Sequence, residues 1–144
     1  MKYSIVMPVY QRIYEINLTL ESVLAQSFKP FELIIVDNNS NNEDIIKLKK
    51  LINSFNKYFA KPIRYIKSPK NSGAQARNLG ANAAKSELVA FLDSDVILDK
   101  NYYEILIDYF KINQELIAIQ GLDRSLLKSN NSNISKNILD KLIY

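Results

Sequence analysis

The stretch LVAFLDSDVIL, residues 88–98, decides how this chain is read. Residues 88–92 are apolar and uncharged. That is the pattern of a central strand buried on both faces. The run then breaks into Asp93, Ser94 and Asp95 before returning to Val96, Ile97 and Leu98. Two carboxylates at the end of a buried strand repel each other and resist desolvation. In extended backbone, residues two apart point the same way, with Cα atoms about 6.5–7 Å apart. Asp93 and Asp95 can therefore share one hard cation, or one can hold the ion while the other accepts from a ligand hydroxyl. The plainer reading is a strand-end turn with two solvated aspartates. The rest of the chain has to decide between them.

Upstream, the same grammar repeats. Residues 3–7 (YSIVM) form a short apolar run that Pro8 is expected to end, leaving Pro8, Val9 and Tyr10 as an exit loop. Ile13, Ile16, Leu20, Val23 and Leu24 then recur at helical spacing over 12–26. Residues 33–36 are a second apolar run, and it too ends in an acid, Asp37. The polar residues 38–42 favour Asx turns and a helix N-cap. A helix is expected after them, with Ile45, Leu48, Ile52, Phe55 and Phe59 on its buried face and Pro62 closing it. A third strand is expected over 63–66 and a loop over 69–73. Residues 74–85 then read as a helix of small side chains, able to approach a sheet closely.

Downstream of the acidic pair, Asp99 is placed to cap a helix carrying Tyr103, Leu106, Ile107 and Phe110. A fifth strand is expected over 116–119, and a last helix from Ser135 with Ile138, Leu139, Leu142 and Ile143 on one face. Strands alternating with helices imply an α/β fold with a mainly parallel sheet and helices on both faces. Ligands bind such sheets at the carboxyl ends of the strands, near the point where strand order reverses. Tyr10, Asp37, Asp93 and Asp95 all stand at such exits.

Composition narrows the chemistry. The chain has 144 residues, enough for one domain with a real core, and a net charge of +4. That bias suits anionic ligands and is too weak to argue for nucleic acid. Cysteine and histidine are both absent. This excludes thiol nucleophiles, thiolate zinc sites and histidine-dependent triads within the chain. A metal here must sit on oxygen, which points to magnesium or manganese. The first residues lack the apolar core of a signal peptide, and no run approaches the ~20 apolar residues of a membrane span. A cytoplasmic domain is expected, with contact at the inner face of the membrane left open.

Five segments in order, SIVMPVY, LESVLAQSF, ELIIVDNNS, NSGAQARNLG and FLDSDV, resemble the family 2 glycosyltransferases of the GT-A, Rossmann-like fold. The resemblance covers roughly residues 3–121. It implies transfer of a sugar from a nucleotide-diphosphate donor, most often a UDP-sugar, with inversion at the anomeric carbon. It implies that Pro8, Val9 and Tyr10 lie along the base and ribose, and that Asp37 binds the uracil ring. Asn71, Gly73, Arg77 and Asn78 match the segment beside the nucleotide, and Asp93 and Asp95 the metal and diphosphate site, with Mn2+ or Mg2+ as the ion. The implied acceptor is a saccharide or a lipid-linked sugar; a homodimer is left open.

The family's catalytic base is an acid well downstream of the DxD stretch, and nothing after Gly121 supplies a counterpart. Residues 1–121 are therefore expected to be the nucleotide-sugar-binding core, and 122–144 the truncated start of the acceptor side. Two other functions compete. One is a nucleotide-sugar-binding module without turnover of its own. The other is a phosphatase of the haloacid dehalogenase type, with Asp93 as nucleophile, although that motif normally opens its domain.

Overall fold

The computed structural model describes residues 1–121. The elements run β1 (Tyr3–Val9), α1 (Ile13–Leu24), β2 (Glu32–Asp37), α2 (Asn42–Asn56), β3 (Arg64–Lys67), α3 (Gly73–Ala83), β4 (Leu88–Phe91) and α4 (Tyr102–Ile112). The described residues fall into two compact units, Met1–Asn101 and a second beginning at Tyr102. All four strands lie in the first unit and pair in parallel, in the order β3-β2-β1-β4.

That order fixes where a ligand can sit. The chain steps from β1 to β2 to β3 in one direction, then returns past β1 to reach β4. With right-handed crossovers, the reversal places α3 on the face opposite α1 and α2. The crevice at the carboxyl ends of β1 and β4 is the switch point.

Packing follows the alternation of strand side chains. Val6, Ile34 and Val36 share one face and are closed over by Ala76 of α3, with Leu79, Ala83 and Val89 at the margins. Ile5, Met7, Leu33 and Ile35 project to the other face and are also fully or almost fully buried. The small residues of α3 serve close approach: a Cβ added at Gly80 would overlap Val6 and press on Val36. Helix starts follow the polar runs. The side chain of Asn41 accepts from the amide of Asp44 at 2.8 Å, and that of Ser72 from the amide of Gln75 at 3.3 Å.

Several expectations are corrected. Pro8 does not end β1, which continues to Val9 with Pro8 opposite Val36. The backbone of Val6 faces β4, accepting from the amide of Leu92, and that of Val9 faces β2, accepting from the amide of Asn38. By alternation Pro8 faces β4, beyond the last β1–β4 pair, Val6 with Phe91. Its missing donor is needed by no neighbour there. Among the described residues β4 lies at the edge of the sheet and not at its centre: it pairs only with β1, and Phe91 is 52% exposed. An apolar run alone does not say what covers it.

Residues 116–119 form no strand, and Ile117 is 96% exposed. A strand needs a partner for its amides and carbonyls, and none pairs with this run among the described residues. Helix α2 ends at Asn56, ahead of Phe59, and β3 begins one residue later than the apolar run suggested. In the second unit, Tyr103 and Ile107 of α4 are buried, and Gly121 lies so close to the Tyr102 ring that an added Cβ would overlap it. The expected helix from Ser135 lies outside the described residues.

Candidate functional site

A cleft of about 370 Å³ opens at the carboxyl edge of the sheet, at the low end of the range for small-molecule sites. β1 and its exit contribute Pro8, Val9, Tyr10 and Arg12. The β2 exit adds Asn38, the loop before α3 adds Asn71, and the first residue of α3 adds Gly73. Arg77 comes from the first turns of α3, and Asp93, Ser94 and Asp95 from the β4 exit. Residues far apart in sequence meet here because parallel strands all release their chains at one edge.

The two acids are each held by an arginine. Arg77 Nη2 lies 2.5 Å from Asp93 Oδ1, and Arg12 Nη1 lies 2.5 Å from Asp95 Oδ2. Both pairs stand partly in solvent at the mouth of the cleft. Helix α1 fixes the backbone between them and beyond. The hydroxyl of Thr19, which is fully buried, donates to the carbonyl of Ser94 at 2.9 Å. The side-chain Nε2 of Gln26 donates to the carbonyl of Asp99 at 2.7 Å. Asp99 therefore anchors a loop, and α4 starts only at Tyr102.

Asp37 is not on the surface of the cleft. It is fully buried, and both carboxylate oxygens are engaged. The phenol of Tyr65 donates to Oδ2 at 2.6 Å and the amide of Asn39 to Oδ1 at 2.8 Å. Burial first, and then this hydrogen bond to a carboxylate, push the Tyr65 phenol well above its usual range. The ammonium of Lys67 closes the same corner, donating to the carbonyls of Asp37 and Asn39 at 3.1 and 2.6 Å. Asp37 thus shapes the β2 exit, and its neighbour Asn38 reaches the cleft. Asn38 is 5% exposed, and its Oδ1 has no hydrogen-bond partner among the described residues. Buried acceptors without donors are rare in folded proteins. One at the wall of a cleft is placed to take a donor from a ligand.

Of the residues singled out from sequence, the cleft gathers Pro8, Val9, Tyr10, Asn71, Gly73, Arg77, Asp93 and Asp95. It leaves out Asp37 and Asn78. It adds Arg12, Asn38 and Ser94, which the sequence reading did not select. Asn38 carried no signal of its own, since both faces of β2 are buried and Asn38 continues the phase of Ile34 and Val36. Arg12 had none either, because its role depends on a turn that sequence pattern does not show.

The donor set fits a hard cation in part. Asp93 and Asp95 offer carboxylate oxygens, and a magnesium-like ion is commonly bound by one or two carboxylates plus substrate phosphates. Among the described residues there is no cluster of three or more acidic, histidine or cysteine side chains that would hold an ion unaided.

A parallel α/β unit with paired acids and arginines at its switch point has its candidate site where open sheets bind ligands. The comparisons narrow this. The chain matches the family model described as Glycosyl transferase family 2 over residues 4–143. It belongs to that family, and its fold is that of the GT-A glycosyltransferases.

It is 34% identical over 155 residues to the poly(ribitol-phosphate) beta-N-acetylglucosaminyltransferase TarP of Staphylococcus aureus, covering 99% of this chain and 46% of TarP. The crystal structure of S. aureus TarS 1-349 in complex with UDP-GlcNAc superposes with a TM-score of 0.66 at 21% identity, covering 85% of this chain and 36% of that one. The mannosyltransferase PcManGT of Pyrobaculum calidifontis, in complex with GDP-Man and Mn2+, gives a TM-score of 0.56 at 18% identity over 65% of this chain and 27% of that one. The chain spans less than half the length of the relatives it matches. Family membership displaces the phosphatase reading of Asp93. No helix among the described residues is long and apolar enough to cross a membrane.

Proposed function

We propose that the cleft binds a nucleoside-diphosphate sugar, with a uridine nucleotide favoured, and serves metal-assisted, inverting transfer of that sugar to a saccharide or lipid-linked acceptor. The observation that carries this is the pairing of Asp93 and Asp95 with Arg77 and Arg12 at the mouth of a cleft at the strand-order switch point. Relatives supply support: TarP is named as an N-acetylglucosaminyltransferase, and the TarS structure holds UDP-GlcNAc.

In this reading Pro8, Val9 and Tyr10 flank the base and ribose, and the free Oδ1 of Asn38 accepts from the base or a ribose hydroxyl. Asn71 and Gly73 lie beside the diphosphate, where α3 begins and its first amides point outward. Asp93 and Asp95 would hold Mn2+ or Mg2+, which when bound offsets charge on the leaving diphosphate. Arg77 adds a fixed positive charge near the same oxygens. One such contact is worth about 3–4 kcal/mol in the transition state. Both carboxylates of the cleft are committed to arginines, so neither is assigned as the base that takes the acceptor's proton. That favours donor binding as the part of the reaction housed here. A nucleotide-sugar-binding module that needs further residues for turnover is the second reading.

The test is a thermal-shift screen of UDP, GDP, CDP and ADP with and without Mn2+. A ligand at 100 times its dissociation constant stabilises by about 2.7 kcal/mol. UDP with Mn2+ should raise the melting temperature most, and Asp95→Ala should abolish the Mn2+-dependent part with the fold intact. Equal shifts for wild type and Asp95→Ala would overturn the site assignment. Mn2+-dependent UDP release from a UDP-sugar would mark turnover, and binding without release would mark the module.

A further inference from the structure

The turn that carries Arg12 breaks several local rules at once. Gln11 and Arg12 both adopt left-handed backbone, with φ of 56° and 54°, and neither is glycine. Such conformations cost about 1–2 kcal/mol per residue. Arg12 is also the N-cap of α1, a position that favours Ser, Thr, Asp or Asn, and its side chain makes no capping bond. It further sets a positive charge at the positive end of a helix. The turn is held in place all the same: the amide of Gln11 donates to Asn39 Oδ1 at 2.6 Å, and the amide of Ile16 donates to the carbonyl of Arg12 at 3.1 Å. Beyond the bonds that hold it, the strained turn presents the guanidinium of Arg12 to the carboxylate of Asp95. Strain kept at a cleft points to function.

We propose that Arg12 competes with the divalent cation for Asp95, so that the cation binds well only together with a diphosphate that can take the guanidinium over. The proposal rests on the reading of Asp95 as a cation ligand given above. Charge bookkeeping supports it. Asp93 and Asp95 are balanced by Arg77 and Arg12, so a divalent cation entering alone meets a neutral cluster with two guanidinium groups beside it. A diphosphate arriving with the cation offsets its charge and offers Arg12 a bidentate partner of matching geometry. The Arg12–Asp95 pair is 61% and 41% exposed at its two side chains, so it is weak enough to exchange. Arg12 then acts as a positioning residue that makes cation binding depend on the donor, and by linkage donor binding depend equally on the cation.

The test is a Mn2+ titration of the full chain, with free Mn2+ read by electron paramagnetic resonance, with and without UDP. Wild type should bind Mn2+ weakly alone and much more tightly with UDP. Arg12→Met should bind Mn2+ alone about 3-fold tighter, from loss of an exposed ion pair, and its enhancement by UDP should shrink by at least the same factor. Arg12→Gly should behave the same way and also accepts the left-handed backbone, which guards against a variant that fails to fold. If both variants bind Mn2+ alone no better than wild type while wild type binds it with UDP, the competition is refuted and the metal site stands. If wild type takes up no Mn2+ even with UDP, the cation reading of Asp95 fails and this inference falls with it.

Discussion

Asp37 and Asn38 are neighbours with opposite roles. Asp37 is buried with two donors pointing at it, and Asn38 keeps a bare acceptor at the cleft wall. Asp37→Ala would leave the Tyr65 phenol and the Asn39 amide without their partner, at a cost of about 2–3 kcal/mol. Asn38→Ala should change stability by less than about 1 kcal/mol and lower UDP affinity about tenfold. Denaturant midpoints and a UDP titration on both variants check this; the reverse pattern would return the base-binding role to Asp37. Sequence pointed to the charged residue because charge at a strand exit is conspicuous. Both faces of β2 are buried, so pattern does not separate Asp37 from Asn38; the bonded carboxylate of one and the bare Oδ1 of the other do. Asp93 and Asp95 were legible because a pair of acids closing an apolar run is conspicuous, although both carboxylates stand partly in solvent.

Among the elements, β2 carries a buried charge that ties its neighbours together. Glu32, at its start, is 5% exposed and sits among three donors. It accepts from the Ser4 hydroxyl at 2.9 Å, the Arg64 guanidinium at 2.8 Å and the Lys85 amide at 2.7 Å, joining β1, β3 and the end of α3. Burial pushes its carboxyl up, yet the hydrogen bonds from Arg64, Lys85 and Ser4 outweigh it and hold the carboxyl below its ordinary value of 4.5. A depressed folded value means the unfolded chain binds the proton more readily. The stability from Glu32 is therefore present above about pH 4.5 and is lost as pH falls through the lower folded value. Thermal unfolding followed from pH 7 to 3 should show this acid loss in wild type and a flatter profile in Glu32→Gln, which starts lower at pH 7. Parallel profiles would contradict it. Each described helix and each of the four strands was readable as an apolar run or a helical period. The edge position of β4 and the absence of a strand at 116–119 were not, because both depend on what packs alongside.

At the scale of the whole molecule, sheet order explains why the site is where it is. The return from β3 past β1 to β4 opens a crevice between two strand exits, and arginines and acids from those exits and from α3 line its rim. The family could be read from five short segments in order. The pairing of each acid with its own arginine could not, since it rests on the left-handed turn at Gln11 and Arg12.

The central claim is that this crevice receives a nucleoside diphosphate with its cation. Chemical-shift mapping on 15N-labelled protein titrated with UDP and diamagnetic Mg2+ tests it most directly. Perturbations should concentrate on the amides of Tyr10, Asn38, Gly73, Ser94 and Asp95 and shrink sharply in Asp95→Ala. Perturbations at the opposite edge of the sheet, or none at saturating UDP and Mg2+, would contradict it.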